Sequence, residues 1–169
     1  MSDFILDRAA CTWWTAHHLR AALTVTMGSI DEGQVGFVNG YVQLPKGHPD
    51  LGRDHRDLDL AVHRGLTYGA DEWGWVGFGT GHVDDYWPDT DIDALIEATP
   101  QPRRRSLMRQ WPHCRGIKAA CRPDTSWPMA WDRDWTIPLL MAEVEDLAAQ
   151  LHLRGLHAPR QRPTVVHPV

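Results

Sequence analysis

The stretch Trp73-Gly74-Trp75-Val76-Gly77-Phe78-Gly79 carries almost no polar side chain and predicts a central, buried β-strand. Glycine weakens the interior of a strand, so its repeated use here indicates close approach of a ligand or of another backbone. The segment Thr80-Gly81-His82-Val83-Asp84-Asp85 follows as a loop. Functional side chains concentrate on loops that a sheet holds in place, so we expect part of a site here.

Further strands are predicted on the N-terminal side of this segment. Asn39-Gly40 separates two β-prone runs, residues 34–38 and 41–44, which is typical of a type I′ hairpin because both turn positions need a positive φ. Residues 58–63 alternate between apolar and polar side chains, a pattern that indicates a half-buried strand. The sequence therefore predicts a sheet between about Val35 and Thr80.

Helices are expected on both sides of this sheet. Apolar residues between Leu6 and about Val25 approximate helical spacing, and residues 91–98 predict a short helix. Residues 137–151 place one apolar stripe beside acidic side chains. The predicted fold class is α+β, with an antiparallel or mixed sheet packed by N-terminal and C-terminal helices.

The domain organisation follows from the length and from the distribution of proline. A chain of 169 residues fits one domain, and we expect residues 1–155 to form it. Residues 101–123 are basic, contain no acid and have proline-rich flanks, which predicts a loop-rich insertion at about 100–130. Residues 156–169 contain three prolines and are expected to be disordered.

Composition excludes several classes of protein. The net charge of −5 argues against a general nucleic-acid binder. No apolar run approaches the roughly 20 residues of a membrane span, and the N-terminus lacks a signal-peptide pattern. We therefore expect no membrane association and a cytoplasmic location. Nine tryptophans and the frequency of two-fold homodimers predict a homo-oligomer.

Three histidines lie beside turn or strand-end signals: His48, His63 and His82. Histidine titrates near neutrality, ligates metals and donates to phosphate. Asp85 follows His82 by three residues and could orient its ring or share a metal ion with it. We predict that His63, His82 and Asp85 form one site and would be the catalytic residues of an enzyme. The sequence identifies no metal and no cofactor.

A wider set of residues is predicted to bind a small anionic ligand. Arginine forks match phosphate oxygens, so the basic segment is a candidate phosphate-facing lid, with a solvated surface excursion as the alternative. The predicted ligand-binding residues are His48, His63, Tyr68, Trp75, His82, Asp85, Arg103, Arg104 and Arg105.

Three segments together resemble a family of small uncharacterised proteins encoded by bacteriophages and prophages of actinobacteria. They are Gly-Tyr-Val-Gln-Leu-Pro-Lys-Gly-His-Pro at 40–49, Val-His-Arg-Gly-Leu-Thr-Tyr at 62–68, and the segment 75–85 with its Trp-x-Gly-Phe-x-x-x-His-x-x-Asp pattern. Arg64 stands where the family usually has glycine, and Gly79 where it usually has aspartate. The second departure removes a carboxylate that an acid-dependent mechanism could use.

The resemblance implies a phage protein that acts in the cytoplasm of an infected host. Together with the residues, it favours a pocket protein that binds a small phosphorylated or nucleotide-like ligand and sequesters a host immune signal. Two alternatives remain open. The first is a nucleotide or phosphodiester hydrolase that uses His63, His82 and Asp85, with or without a metal ion. The second is an inhibitor that binds a host protein through exposed tryptophans. The sequence leaves open whether the protein is an enzyme.

Overall fold

Four antiparallel strands form the main sheet of the computed structural model, which describes residues 3–28, 36–69, 72–82, 85–121 and 133–157. The strands are β1 (Ala9–Trp14), β2 (Arg20–Thr26), β3 (Phe37–Gln43) and β4 (Trp75–Gly79), in the order β1-β2-β3-β4. A short parallel pair joins β5 (Asp85–Tyr86) to β6 (Arg133–Asp134).

Three α-helices complete the α+β fold, and the predicted fold class is confirmed. They are α1 (Asp89–Ala98), α2 (Arg103–Cys121) and α3 (Ile137–Leu156), and two short 3-10 helices span Leu6–Arg8 and His55–Asp57. The short helix expected at 91–98 and the C-terminal helix are confirmed, the latter with a longer C-terminal end. No helix in the described part of the chain is long and apolar enough to cross a membrane.

The two faces of the sheet have different coverings. The main core contains Val38, Val42, Val76 and Phe78 from the strands together with buried residues of all three helices. The opposite face carries a smaller cluster that is built around Tyr41 and Trp75 and is covered by Ile5 near the N-terminus. The interior residues of β2 and β4 are all buried, so both faces of the sheet are shielded from solvent at these strands.

The helix predicted from Leu6 to about Val25 is wrong. Only Leu6–Arg8 is helical, as one 3-10 turn, and β1 and β2 follow as a hairpin in which Trp13 pairs with Ala21. The physical reason is the burial of β2 on both faces, which replaces strict alternation by a continuous apolar run. Such a run carries no periodicity that separates a strand from a helix.

The hairpin predicted at Asn39-Gly40 is also wrong, because β3 runs straight through both residues. Gly40 pairs with Leu23 on one side and with Phe78 on the other. A Cβ atom at Gly40 would lie 2.5 Å from Cγ2 of Val144, so the glycine lets α3 approach the sheet closely. The glycine therefore serves helix packing rather than a turn.

Residues 58–63 do not form the predicted strand, and β4 is an edge strand rather than a central one. The segment instead pairs with side chains of α3: the Ala61 N–H donates to Gln150 Oε1 and the Ala61 carbonyl accepts from Gln150 Nε2, both at 2.8 Å. An isolated bridge between Tyr68 and Gly77 covers the outer edge of β4.

The basic segment is helical where it was predicted to be rich in loops. Helix α2 contains Pro112 and buries Leu107, Trp111 and Cys114 in the main core. The apolar spacing of these three residues is helical, but the surrounding prolines and arginines obscure it. Residues 122–132, in the rest of the predicted insertion, and residues 158–169, in the predicted tail, lie outside the described part of the chain.

A buried ion pair joins the C-terminal end of α3 to the loop after β3. Arg154 donates from Nε to Asp50 Oδ2 at 2.6 Å and from Nη2 to Asp50 Oδ1 at 2.9 Å. Arg53 donates to the same carboxylate at 2.9 Å. The hydrogen bond from Arg154 is the main cause that lowers the pKa of Asp50 below its ordinary value.

Replacement of Gly40 by alanine should destabilise the protein by about 1–3 kcal/mol, since the new methyl group overlaps Val144 and strains a packed interface. Urea unfolding measures the effect. Gly116→Ala in α2 is the control, because a Cβ atom there meets no other atom within 4 Å and alanine favours a helix. An unchanged stability of Gly40→Ala would contradict the close packing described here.

Asp50→Asn should cost about 1–3 kcal/mol at pH 7, because the variant loses the charged acceptor of two arginines. Since the pKa of Asp50 is lowered on folding, the stabilisation is present above its unfolded value of about 3.9 and is lost as the pH falls through the folded value. The unfolding free energies of the variant and the parent should therefore differ at pH 7 and become similar at pH 2. A difference that stays constant with pH would rule out this linkage.

Candidate functional site

The Asp85 carboxylate brings His63 and His82 together. His63 Nε2 lies 2.8 Å from Asp85 Oδ1 and 3.1 Å from Oδ2, and His82 Nδ1 lies 2.7 Å from Oδ2. The two imidazole centroids are 5.4 Å apart. The predicted convergence of these three residues is confirmed, although 22 residues separate His63 from Asp85.

The exposure of the three side chains falls in a clear order. The Asp85 side chain is fully buried, that of His63 is 10% exposed and that of His82 is 26% exposed. A carboxylate withdrawn from water needs hydrogen-bond donors, and here the histidines supply them. His82 is the member of the cluster that solvent or a ligand reaches most easily.

The end of β4 positions His82 and Asp85. Thr80 Oγ1 donates to the Val38 carbonyl at 2.6 Å and accepts from Trp87 Nε1 at 2.7 Å, so it joins the sheet to the segment beyond the loop. The Asp85 N–H donates to the His82 carbonyl at 3.0 Å, and the His82 N–H donates to Asp85 Oδ2 at 3.2 Å. These reciprocal bonds hold the aspartate beneath the histidine.

The position of His63 depends on α3. Its backbone N–H donates to Glu143 Oε1 at 2.8 Å, which ties the irregular segment to the helix. Arg64 and Gly65 follow with φ values of 53° and 86° and turn the chain away. Glycine takes a positive φ at little cost, whereas arginine does not, so the turn at Arg64 is imposed by its surroundings.

Trp135 is a member of the site that the sequence did not reveal. Its indole Nε1 donates to Asp85 Oδ1 at 3.0 Å, and its ring meets that of His63 edge-on at 5.0 Å. Its other face stacks on Trp87 with centroids 6.0 Å apart. Fifty residues separate Trp135 from Asp85, and no local pattern connects them; the only signal was the excess of tryptophan.

An ionised carboxylate only accepts hydrogen bonds, so the arrangement that suits these contacts has Nε2–H of His63 and Nδ1–H of His82 donating to Asp85. Nδ1 of His63 and Nε2 of His82 are the ring nitrogens that Asp85 does not contact. Asp85 orients both rings, which is the role that a carboxylate has beside a catalytic histidine.

The same three side chains also form a candidate metal centre. One ligand atom from each of His63, His82 and Asp85 lies within 4.8 Å of the others. Two neutral imidazoles and one carboxylate are a donor set suited to zinc or to non-haem iron. Trp135 would hold the ligating carboxylate from behind, as outer hydrogen bonds do in metal sites.

His48, Tyr68 and Trp75 do not share this site, so the prediction of one pocket is wrong for them. His48 is buried against α3: its Nε2 lies 2.9 Å from the Leu151 carbonyl, and its Nδ1 accepts from the Asp50 N–H at 3.1 Å. Trp75 belongs to the cluster on the opposite face of the sheet, where Tyr68 packs, and donates to Asp3 at 3.0 Å. Strand alternation explains the position of Trp75, because Trp75 points away from the face on which its β4 neighbours Val76 and Phe78 join the main core.

The three arginines lie at the opposite end of α2 from the histidines. Arg103 donates to the Val25 carbonyl at 3.3 Å, Arg104 donates to the Glu97 carbonyl at 3.0 Å, and Arg105 is exposed. Fifteen residues further along α2, Lys118 donates to the Trp87 carbonyl. At 1.5 Å per residue, roughly 22 Å of helix separates the two ends, so the arginines form no lid over His82.

Gly79 is the second departure from the resembled pattern. The carboxylate that it replaces would not belong to the His63–Asp85–His82 cluster. A Cβ atom at Gly79 would lie 2.9 Å from Asn39 Oδ1 and 3.7 Å from Thr67 Oγ1. A carboxylate there would therefore begin among these polar groups and not beside Asp85. The expected weakening of an acid-dependent mechanism does not apply to the His63–Asp85–His82 centre.

Comparisons of the chain with protein-family models, with curated proteins and with solved structures found no match. The resemblance to actinobacterial phage proteins stays a prediction. The function is therefore argued from the chemistry of the site.

His48→Ala should lower the unfolding free energy by about 1–3 kcal/mol, because it removes two buried hydrogen bonds, to the Leu151 carbonyl and from the Asp50 N–H. His82→Ala should change it by less, since His82 is part-exposed and its loss opens the cluster to water. Calorimetric melting of both variants checks this order. Equal destabilisation would show that His82 is a structural residue like His48.

Proposed function

We propose that the protein hydrolyses a small phosphorylated or nucleotide-like compound at the His63–Asp85–His82 centre, with a divalent metal ion held by these three side chains. The observation that carries the proposal is the convergence of three ligand atoms within 4.8 Å around a fully buried carboxylate. Clusters of titratable groups with one exposed member are typical of active sites.

The donor set matches what hydrolysis requires. A divalent ion here would be held by His63, His82 and Asp85, and when bound it would supply an activated water as the nucleophile for phosphate-ester hydrolysis. His82 is the most exposed of the three side chains, so a substrate would reach the centre from its side.

The chemistry of this centre also supports a phosphorylated substrate. A divalent ion polarises phosphoryl oxygens and stabilises the charge that develops on the attacking and leaving groups. Trp135 and Trp87 are fully buried and stack on one another beside the cluster, so its inner side is apolar. As a further part of this proposal, the reaction would take place in the cytoplasm of an infected host, with a nucleotide-derived signal as the substrate.

The second candidate function is binding without turnover, which would sequester the ligand. It is favoured by the direct contacts of His63 Nε2 and His82 Nδ1 with Asp85, which orient both rings without a further group. In this case, a protonated His82 would donate from its outer nitrogen to a phosphate oxygen. This function needs no metal and releases no product.

The third hypothesis, inhibition of a host protein through exposed tryptophans, has little support. Among the described tryptophans, Trp14 alone is largely exposed, at 70%. Trp75, Trp87 and Trp135 are fully buried in the two cores. Trp75, Trp87 and Trp135 therefore serve packing and, for Trp135, the site.

Zinc or manganese added to the purified protein should be retained after desalting at about one ion per chain, and Asp85→Asn and His82→Ala should each reduce retention at least tenfold. Elemental analysis measures retention, and release of nitrophenol from bis-nitrophenyl phosphate measures turnover. His113→Ala is the control. His113 is exposed on α2, so this variant also loses one histidine, but from a position outside the centre.

Metal retention that is equal in all variants would contradict the proposed centre. A protein that retains no ion and shows no turnover, but binds a nucleotide in a manner abolished by His82→Ala, would establish the binding function instead.

A further inference from the structure

A second, basic groove lies between the N-terminal 3-10 helix and the start of α2. Its volume is about 830 Å³, and its lining includes Arg8, Arg103, Ser106 and Arg109. Sites for small molecules commonly have volumes of about 300–1,000 Å³. None of His63, His82 and Asp85 lines this groove, so it is distinct from the centre described above.

The groove has an excess of positive charge that the described part of the chain does not neutralise. Three arginines line it against one carboxylate, Asp7, which has a partner of its own. Among the described residues, Arg8, Arg103 and Arg109 form no salt bridge, whereas the neighbouring Arg104 pairs with Glu97 at 3.6 Å. Unpaired guanidinium groups around one cavity favour an anionic occupant.

Arg103 is the most constrained of the three. Its Nε is buried without a hydrogen-bond partner, and its Nη2 reaches the Val25 carbonyl only at 3.3 Å. Burial and the nearby charge of Arg8 both lower the pKa of Arg103. The protein therefore holds this guanidinium beside a second one in a poorly satisfied state, which an anion in the groove would relieve.

The start of α2 adds to the same field. Its first turn contains Arg103, Arg104 and Arg105 and no acidic residue. The N-terminal end of a helix carries a partial positive charge, so cations there lower helix stability and an anion raises it. The arginines are thus placed where they cost stability and where phosphate binding would recover it.

From this geometry we propose that the groove is a second site, which binds a small molecule through its phosphate groups. Arg8, Arg103 and Arg109 would contact the phosphate oxygens, and the Ser106 hydroxyl would supply a further donor. The site does not depend on the proposed hydrolase, because it uses none of the residues of that centre.

Inorganic tripolyphosphate is a suitable probe, with binding measured by calorimetry at about 50 mM and about 500 mM salt. Arg103→Ala and Arg109→Ala should each weaken binding about tenfold or more, because each removes a charged donor. Arg105→Ala is the matched control: it removes the same charge from the same helical turn, but Arg105 does not line the groove. Binding by Arg105→Ala should stay within about twofold of the parent.

Arg109 is exposed, so Arg109→Ala keeps the test valid if Arg103→Ala fails to fold. Equal weakening by Arg105→Ala would overturn the proposal in favour of a diffuse charge effect, and absence of binding at low salt would overturn it outright. Loss of binding in His82→Ala would move the phosphate site to the metal centre. A single-stranded oligonucleotide that binds more tightly than tripolyphosphate would replace the small-molecule site by a nucleic-acid surface.

Discussion

The Asp85 carboxylate is the group on which this end of the molecule depends. A buried carboxylate is costly unless donors surround it, and Asp85 obtains them from three distant parts of the chain. His82 approaches from the loop after β4, His63 from the segment held by α3, and Trp135 from two residues before α3 begins. These segments share the requirement to satisfy one charge, so the geometry of the site and the order of the surrounding loops arise from the same interaction.

Helix α3 supplies the second constraint, because its polar side chains hold the irregular part of the chain while its apolar stripe closes the sheet. Val144 packs against the bare backbone of Gly40, which sets how close the helix lies to β3. Glu143 and Gln150 bind the backbone at His63 and Ala61, and the Leu151 carbonyl meets His48. A segment without strand or helix is thereby positioned as precisely as the sheet, which is what a site residue such as His63 requires.

The sequence predicted those features that a local pattern carries. The stripe of α3 and the three-residue spacing of His82 and Asp85 each gave a correct prediction, and the apolar run of β4 correctly predicted a buried strand but not its place at the edge of the sheet. The prediction for residues 6–25 was wrong because burial of β2 on both faces removes the periodicity of its sequence. The prediction for Asn39-Gly40 was wrong because a glycine needed for helix packing cannot be distinguished in the sequence from one needed for a turn. Trp135 reaches Asp85, and Arg103 reaches Val25, only through the tertiary fold. No spacing in the sequence indicates either contact.

The charge of the centre bears on the kind of ligand it would accept. Two neutral imidazoles and one carboxylate contribute a single negative charge, so a divalent ion bound there would leave one net positive charge in a largely buried setting. A second carboxylate would cancel that charge and remove the attraction for an anion. Gly79, where the resembled family has aspartate, directs its Cβ position toward Asn39 and Thr67, so the balance at Asp85 is unaffected. The attraction for an anionic ligand would therefore depend on a bound divalent ion, because the three side chains alone carry a net negative charge when Asp85 is ionised and both imidazoles are neutral.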